Sequence, residues 1–167
     1  MTSWEVLKRL DLKLAYRRSD VKTDYQEGLL NKPLVAKDRG FANLSYTTRQ
    51  GDKGYWMFDG TLQIVGEQRL PSTASNPEGL QRPDWSPAFV TFNTQITRSF
   101  NVGRSGTKTA LDVYIGAENL FDYRQKDPIL GADDPFGSYF DSGLVWGPIF
   151  GRNIYAGVRY TLDKKDK

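Results

Sequence analysis

Hydrophobic and polar residues alternate one by one along much of the chain, and this two-residue period returns in about six separate stretches. In the first, Leu10, Leu12, Leu14 and Tyr16 alternate with Arg9, Asp11, Lys13 and Arg17. The second, over 39–47, sets Ala42, Leu44 and Tyr46 against Asn43, Ser45 and Thr47. The third, over 55–67, sets Trp56, Phe58, Leu62 and Ile64 against Asp59, Thr61, Gln63 and Glu67. The fourth, over 89–100, sets Val90, Phe92, Ile96 and Phe100 against Thr91, Asn93, Gln95, Thr97 and Ser99. In the fifth, Leu111, Val113, Ile115 and Ala117 face Asp112, Tyr114, Gly116 and Glu118. In the last, Ile154, Ala156, Val158, Tyr160 and Leu162 face Asn153, Tyr155, Gly157, Arg159 and Thr161. Successive side chains of a strand point to opposite faces, so each stretch predicts a strand with one apolar and one polar face. Lys8 and Arg98 break the parity close to strand ends, where a long basic stem reaches back to polar surroundings.

A strand that crosses a membrane needs about 9–11 residues to traverse about 25–30 Å of hydrocarbon, and several of these stretches reach that length. The intervals between them run long, short, long, short, long: 18–38, 48–54, 69–87, 101–107 and 123–151. The short ones are rich in Gly, Asp, Asn and Ser, the residues of tight turns. A sandwich has no reason to keep this order, whereas a membrane barrel has tight turns on one side and long loops on the other. Of the apolar-face aromatics, Tyr46, Trp56, Phe58, Phe100 and Tyr160 fall towards the short turns, and Tyr16 and Phe121 towards the long loops. Two aromatic belts at the levels of the two interfaces are expected. The predicted fold is all-β, an antiparallel meander of about six long strands forming part of a transmembrane β-barrel.

Composition mainly excludes. The chain has no cysteine and no histidine, which removes disulfides, Ser-His-Asp relays and the usual metal ligation by these side chains. The 23 basic and 20 acidic residues are interspersed, with no basic stripe to follow a phosphate backbone, so nucleic acid is not an expected partner. Met1-Thr2-Ser3-Trp4-Glu5-Val6 does not read as an export signal, and no run of apolar residues is long enough for a membrane helix. An exported protein is therefore expected to carry further sequence upstream.

Two groups of polar residues are candidates for chemistry. The interval 123–151 holds Asp127, Asp133, Asp134 and Asp141 with Phe136, Tyr139 and Trp146, side chains suited to a substrate or a hard cation. Their spacing matches no calcium loop, which favours a solvated loop folded on itself. Arg9, Asp11, Lys13, Arg17, Asp59, Glu67, Asp112, Glu118 and Arg159 fall on the polar face, where a wet interior favours pairing between neighbouring strands over a substrate role. No nucleophile or cleft marks a catalytic site, so an enzyme is not expected; substrate-binding residues are unknown, and no cofactor or metal site is assigned.

The last third carries a resemblance. Gly116-Ala117-Glu118-Asn119-Leu120-Phe121-Asp122 is followed by Asp127-Pro128-Ile129, by Trp146-Gly147-Pro148 and Gly151-Arg152, and by Tyr155-Ala156-Gly157-Val158-Arg159-Tyr160-Thr161-Leu162. Together these resemble the C-terminal end of TonB-dependent outer-membrane receptors, above all of the Bacteroidetes-like branch. The family's segment at the end of the penultimate strand matches Glu118, Asn119, Leu120, Phe121 and Asp122. Tyr155, Gly157, Tyr160 and Leu162 resemble the signal read by the barrel-assembly machinery. The resemblance implies a bacterial outer-membrane barrel of about twenty-two strands around a plug. TonB reaches such a receptor only through that plug, and the substrates of the family are ferric siderophores, cobalamin, other metal chelates or glycans. Residues 1–167 are then expected to be its C-terminal portion, with the plug and most strands elsewhere, and membrane lipid and the rest of the barrel as partners. The alternatives are a small outer-membrane barrel or adhesin-like module, and a soluble β-sandwich that binds a ligand.

Overall fold

Each alternating stretch becomes a strand, because β-branched and aromatic residues on a two-residue period fit a pleated surface. The computed structural model describes residues 2–26, 28–102 and 110–161. Its strands are β1 (Thr2–Leu7), β2 (Leu10–Arg18), β3 (Lys22–Tyr25), β4 (Gly28–Asn31), β5 (Asp38–Thr47), β6 (Tyr55–Val65), β7 (Phe89–Asn101), β8 (Ala110–Glu118) and β9 (Asn153–Thr161). β1, β2 and β5 to β9 form one seven-stranded antiparallel meander, and β3 and β4 form a separate hairpin inside the first long connection. The sheet is open, with β1 and β9 at its edges. Among the described residues no helix is long and apolar enough to cross a membrane.

The predicted strands correspond to β2, β5, β6, β7, β8 and β9, and three expectations are corrected at their ends. β1 is an additional strand of the main sheet, paired along β2 with Trp4 opposite Leu12 and a register shift between Glu5 and Leu7. Its own alternation is weak; β2 supplies the hydrogen-bonding template. Lys8 and Arg9 are therefore the tight turn between β1 and β2, Arg9 with a left-handed backbone (φ 73°), and neither belongs to a strand face. Glu67 lies beyond the end of β6, its carbonyl accepting from the Lys37 amide at 3.3 Å. Leu162 lies outside the described residues.

Antiparallel register carries the parity of one strand into all the others. Leu10, Tyr46, Phe58, Ile96, Ile115 and Ala156 stand opposite one another from β2 to β9. The next row towards the short turns runs through Trp56, Arg98, Val113 and Val158. The other face has rows such as Asp11, Ser45, Asp59, Gln95, Gly116 and Tyr155. A shift of one residue in any pairing would exchange the faces.

Over β5 to β8 burial runs opposite to that of a water-soluble sheet, whereas in β2 both faces are open, with Asp11, Lys13 and Arg17 exposed on the polar one. Thr97 and Ser99, on the polar face of β7, are 0% and 1% exposed, whereas Ile154 and Val158, on the apolar face of β9, are each 66% exposed. Leu44, Trp56, Phe58, Ile64, Ile96, Val113 and Ile115 are exposed on that same face. Of the buried apolar residues, Ala36, Leu70, Leu130 and Leu144 lie in the connections, and Phe89 and Ala117 lie at the long-loop ends of β7 and β8.

On the polar face two tyrosines lock the last pair of strands. Tyr114 stands opposite Gly157 and Tyr155 opposite Gly116, and a Cβ on either glycine would overlap the facing tyrosine ring. The two rings meet edge to face at 6.4 Å, and the Tyr155 hydroxyl donates to Gln95 Oε1 at 3.1 Å, which reaches β7. Gly157→Ala is expected to cost about 1–3 kcal/mol in equilibrium unfolding from detergent micelles, the range of overpacking. Truncating the facing ring by Tyr114→Ala should recover part of that loss. A double-mutant cycle with no coupling between the two positions would show that the rings do not set this register.

Candidate functional site

All three long connections, residues 19–37, 66–88 and 119–152, leave the sheet at one end, and the turns at 8–9 and 48–54 lie at the other. The residues singled out by the family resemblance gather at the long-loop end, where β8 hands over to the last connection. Asn119 follows β8 with a left-handed backbone (φ 48°), a conformation asparagine tolerates better than most residues. Its side chain is buried and works in both directions: Nδ2 donates to the Tyr123 carbonyl at 2.7 Å and the Phe150 carbonyl at 3.4 Å, and Oδ1 accepts from the Tyr123 amide at 3.1 Å. Its own amide donates to Asn93 Oδ1 at 2.8 Å, and the Leu120 amide to the Phe92 carbonyl at 2.7 Å, so the turn is pinned to β7.

Asp122 closes the clamp from the other side. Its Oδ1 accepts from the Arg152 amide at 2.7 Å and from Arg124 Nη2 at 3.0 Å, while Arg152 Nε donates to the Leu120 carbonyl at 2.9 Å. The Arg152 amide first, and the Arg124 guanidinium next, hold the Asp122 carboxyl below its ordinary value of 3.8. A Cβ at Gly151 would overlap Asp122 Oδ1 and the Arg124 guanidinium, so only glycine leaves room for this arrangement. Phe121 points to the apolar face and stacks on Phe92 at 5.7 Å; Glu118 is the exposed last residue of β8, opposite Asn153. Asn119, Leu120, Asp122, Gly151 and Arg152 thus form one joint between β7, β8 and the start of β9.

Trp146, Gly147 and Pro148 sit in a second cluster, built by two glutamines that the alternation gave no reason to select. Gln125 is buried and anchors the loop to itself: Oε1 accepts from the Trp146 amide at 2.8 Å and the Gly147 amide at 3.0 Å, Nε2 donates to the Leu144 carbonyl at 2.9 Å, and its amide donates to the Pro148 carbonyl at 2.7 Å. Gln68 is equally buried and joins the neighbouring connection by donating to the Trp146 carbonyl at 2.9 Å. Phe89, inward-facing at the start of β7, stacks on Tyr123 at 5.1 Å and meets Trp146 at 5.9 Å. Burial there pushes the Tyr123 phenol up. The last connection therefore folds across the polar side of the sheet at its long-loop end.

The acidic residues of that connection do not converge. Among the described residues no three carboxylates come together to hold a metal ion. Asp141 caps the Gly143 amide at 2.6 Å and pairs with Leu130 through its backbone, and the Gly137 amide donates to the Asp134 carbonyl at 2.9 Å. These are the contacts of a loop folded on itself. On the polar face, Asp112 pairs with Arg159 across β8 and β9 at 3.4 Å, the inter-strand pairing expected there. Asp11 and Asp59 flank Ser45, Lys13 faces Asn43, and Arg17 faces Arg39. Beside them Asn43, Asp59, Thr61, Asn93, Gln95 and Tyr155 line a shallow polar groove of about 310 Å³. A second cleft, of about 410 Å³, lies between the β3–β4 hairpin and the next connection, where the Arg69 guanidinium sits 5.4 Å from the Tyr25 ring.

At the short-turn end, Tyr46, Phe58 and Trp56 stack in succession at 6.4 and 6.3 Å. Phe100 and Tyr160 share a row with Leu111 between them. Tyr155 and Gly157 lie inward in β9 within the tyrosine–glycine interlock, and Tyr160 points outward. At the long-loop end the exposed Tyr16 donates to Asp38 Oδ1 at 2.5 Å, with Arg18 3.9 Å from the same oxygen.

Asn119→Ala is expected to cost about 1–3 kcal/mol, the scale of buried backbone groups left unpaired, and to open residues 119–152 to limited proteolysis while the sheet keeps its circular dichroism. The pH response has a fixed sign. The folded-state pKa of Asp122 is the lower one, so its stabilisation is present above 3.8 and is lost as pH falls through the lower folded value. Protease sensitivity of this loop should rise over that acid range in the wild type, and Asp122→Asn should remove the step.

No protein-family model matches the chain, and no curated protein or solved structure does either.

Proposed function

We propose that the seven-stranded sheet is part of a bacterial outer-membrane β-barrel of the TonB-dependent receptor type. In the intact receptor its long-loop end meets the substrate, a scarce nutrient such as a metal chelate, cobalamin or a glycan. The observation that carries this is the inverted burial over the middle of the sheet: an apolar face on which Leu44, Trp56, Phe58, Ile64, Ile96, Val113 and Ile115 are bare, and a polar face whose Thr97 and Ser99 are covered. Soluble monomers rarely expose apolar patches larger than a few hundred Å². Hydrocarbon is the solvent such a face fits, and a water-filled or plugged interior fits the other.

Three further features agree. β2, β5, β6, β7, β8 and β9 are each long enough to cross the hydrocarbon when tilted. Tight turns lie at one end and long connections at the other, and aromatic residues mark both levels of the apolar face. The edges β1 and β9 carry unpaired backbone groups, each costing several kcal/mol in lipid, so a membrane barrel needs further strands to close it. The joint around Asn119 and Asp122 then has a mechanical role, fixing the last loop to the rim so that its exposed side chains hold their positions. No step of catalysis is assigned to the chain; uptake requires energy delivered through a plug.

The chain has no native cysteine, which makes single-cysteine labelling clean. Spin labels at Leu12, Ile64, Phe92 and Val158 should be relaxed by lipid-soluble oxygen, and labels at Lys13, Gln63, Asn93 and Arg159 by a water-soluble nickel complex. The opposite pattern, or apolar positions shielded from both reagents in a detergent-free monomer, would falsify the membrane assignment and favour a soluble sandwich.

A further inference from the structure

Arg98 is a cation on the apolar face. Its row consists otherwise of Trp56, Val113 and Val158, and its guanidinium lies 5.3 Å from the Trp56 ring centroid and 4.9 Å from that of Phe100. Nη2 donates to the Lys53 carbonyl at 3.2 Å, which turns the side chain towards the short-turn rim. The other paired arginines have carboxylates: Arg18 has Asp38, Arg124 has Asp122 and Arg159 has Asp112. Among the described residues Arg98 has no carboxylate within ion-pair distance.

A guanidinium carries five N–H donors, and one is used here. The rings of Trp56 and Phe100 attract its charge but offer its N–H groups no oxygen. A cation left in that state at the edge of an apolar face is costly, and the partner that removes the cost is an anion with two adjacent oxygens. At the level of an aromatic belt the group of this kind is a lipid phosphate. We propose, on the premise that this face meets lipid, that Arg98 with Trp56 and Phe100 forms a binding site for the headgroup phosphate of an anionic phospholipid at the short-turn rim. The rings hold the guanidinium in place and shield the ion pair from water. The Lys53 carbonyl aims it at headgroup depth.

Trp56 is the reporter. The full chain is reconstituted in mixed micelles containing phosphatidylglycerol or phosphatidylcholine with brominated acyl chains, and the Trp56 contribution to quenching is isolated by difference from Trp56→Phe. Phosphatidylglycerol is expected to be favoured about fivefold, the scale of one basic residue at an anionic surface. Arg98→Gln should abolish the preference and Arg98→Lys, which keeps charge without the planar fork, should retain part of it. Trp56 quenching with no lipid preference, or a preference unchanged in Arg98→Gln, would overturn the site while leaving the membrane assignment intact. Absence of Trp56 quenching by either lipid would overturn the lipid-facing premise and the site with it. Loss of the preference on adding millimolar inorganic phosphate, at constant ionic strength, would reassign the site to a free anion.

Discussion

Antiparallel backbone pairing with a two-residue side-chain period is the constraint from which the rest of this molecule follows. Once Leu12 pairs with Leu44 and Tyr46 with Phe58, the hydrogen-bond ladder leaves every later strand one parity that keeps apolar side chains together. The result is a sheet sorted into an apolar and a polar face before any packing of the connections occurs. The more exposed side over its middle strands is the apolar one, and the sheet ends at β1 and β9.

That sorting explains how the long connections are built. They rise from the end of a sheet whose inner face is polar, so little apolar surface is available to hold them. Gln68, Asn119 and Gln125 take over this task, each buried and each donating to a backbone carbonyl of a distant segment, Trp146, Phe150 and Leu144 in turn. The buried Ala36, Leu70, Leu130 and Leu144 lie in these same connections, and the rings of Phe89, Tyr123 and Trp146 pack on one another beside the Gln125 anchor. A buried amide with both halves satisfied is specific about position in a way that an apolar contact is not. Loops held in this manner can present exposed side chains to a ligand in a defined arrangement.

The two ends of the sheet differ in chemistry as well as in loop length. The short-turn end has stacked rings and an uncompensated guanidinium on its outer side. The long-loop end has Tyr16 bound to Asp38 outside and a folded loop across the inside. This difference is what the proposed membrane barrel would require, with one rim among headgroups and the other facing external water. The tyrosine–glycine interlock of β8 and β9 joins the two, keeping the register of the last hairpin where Asp112 and Arg159 also pair.

Sequence alone determined β2 and β5 to β9, their faces, and the order of long and short connections, because alternation is a local property that pairing can only propagate; the β3–β4 hairpin inside the first connection was not among them. It also singled out Asn119, Asp122, Gly151 and Arg152, though as a pattern, without the joint they make. Tertiary structure decided what depends on contacts between distant residues. β1 exists because β2 offers it an edge, and Lys8 and Arg9 are a turn because β1 must reverse into β2. Gln68 and Gln125 are buried because two loops meet above Phe89, and no periodicity in a polar loop encodes that meeting. Arg98 marks the boundary between the two kinds of information: its misplaced charge is visible in the alternation, but the Trp56 ring and the Lys53 carbonyl that receive it, beside Phe100 of its own strand, come from the facing strand and the turn before it.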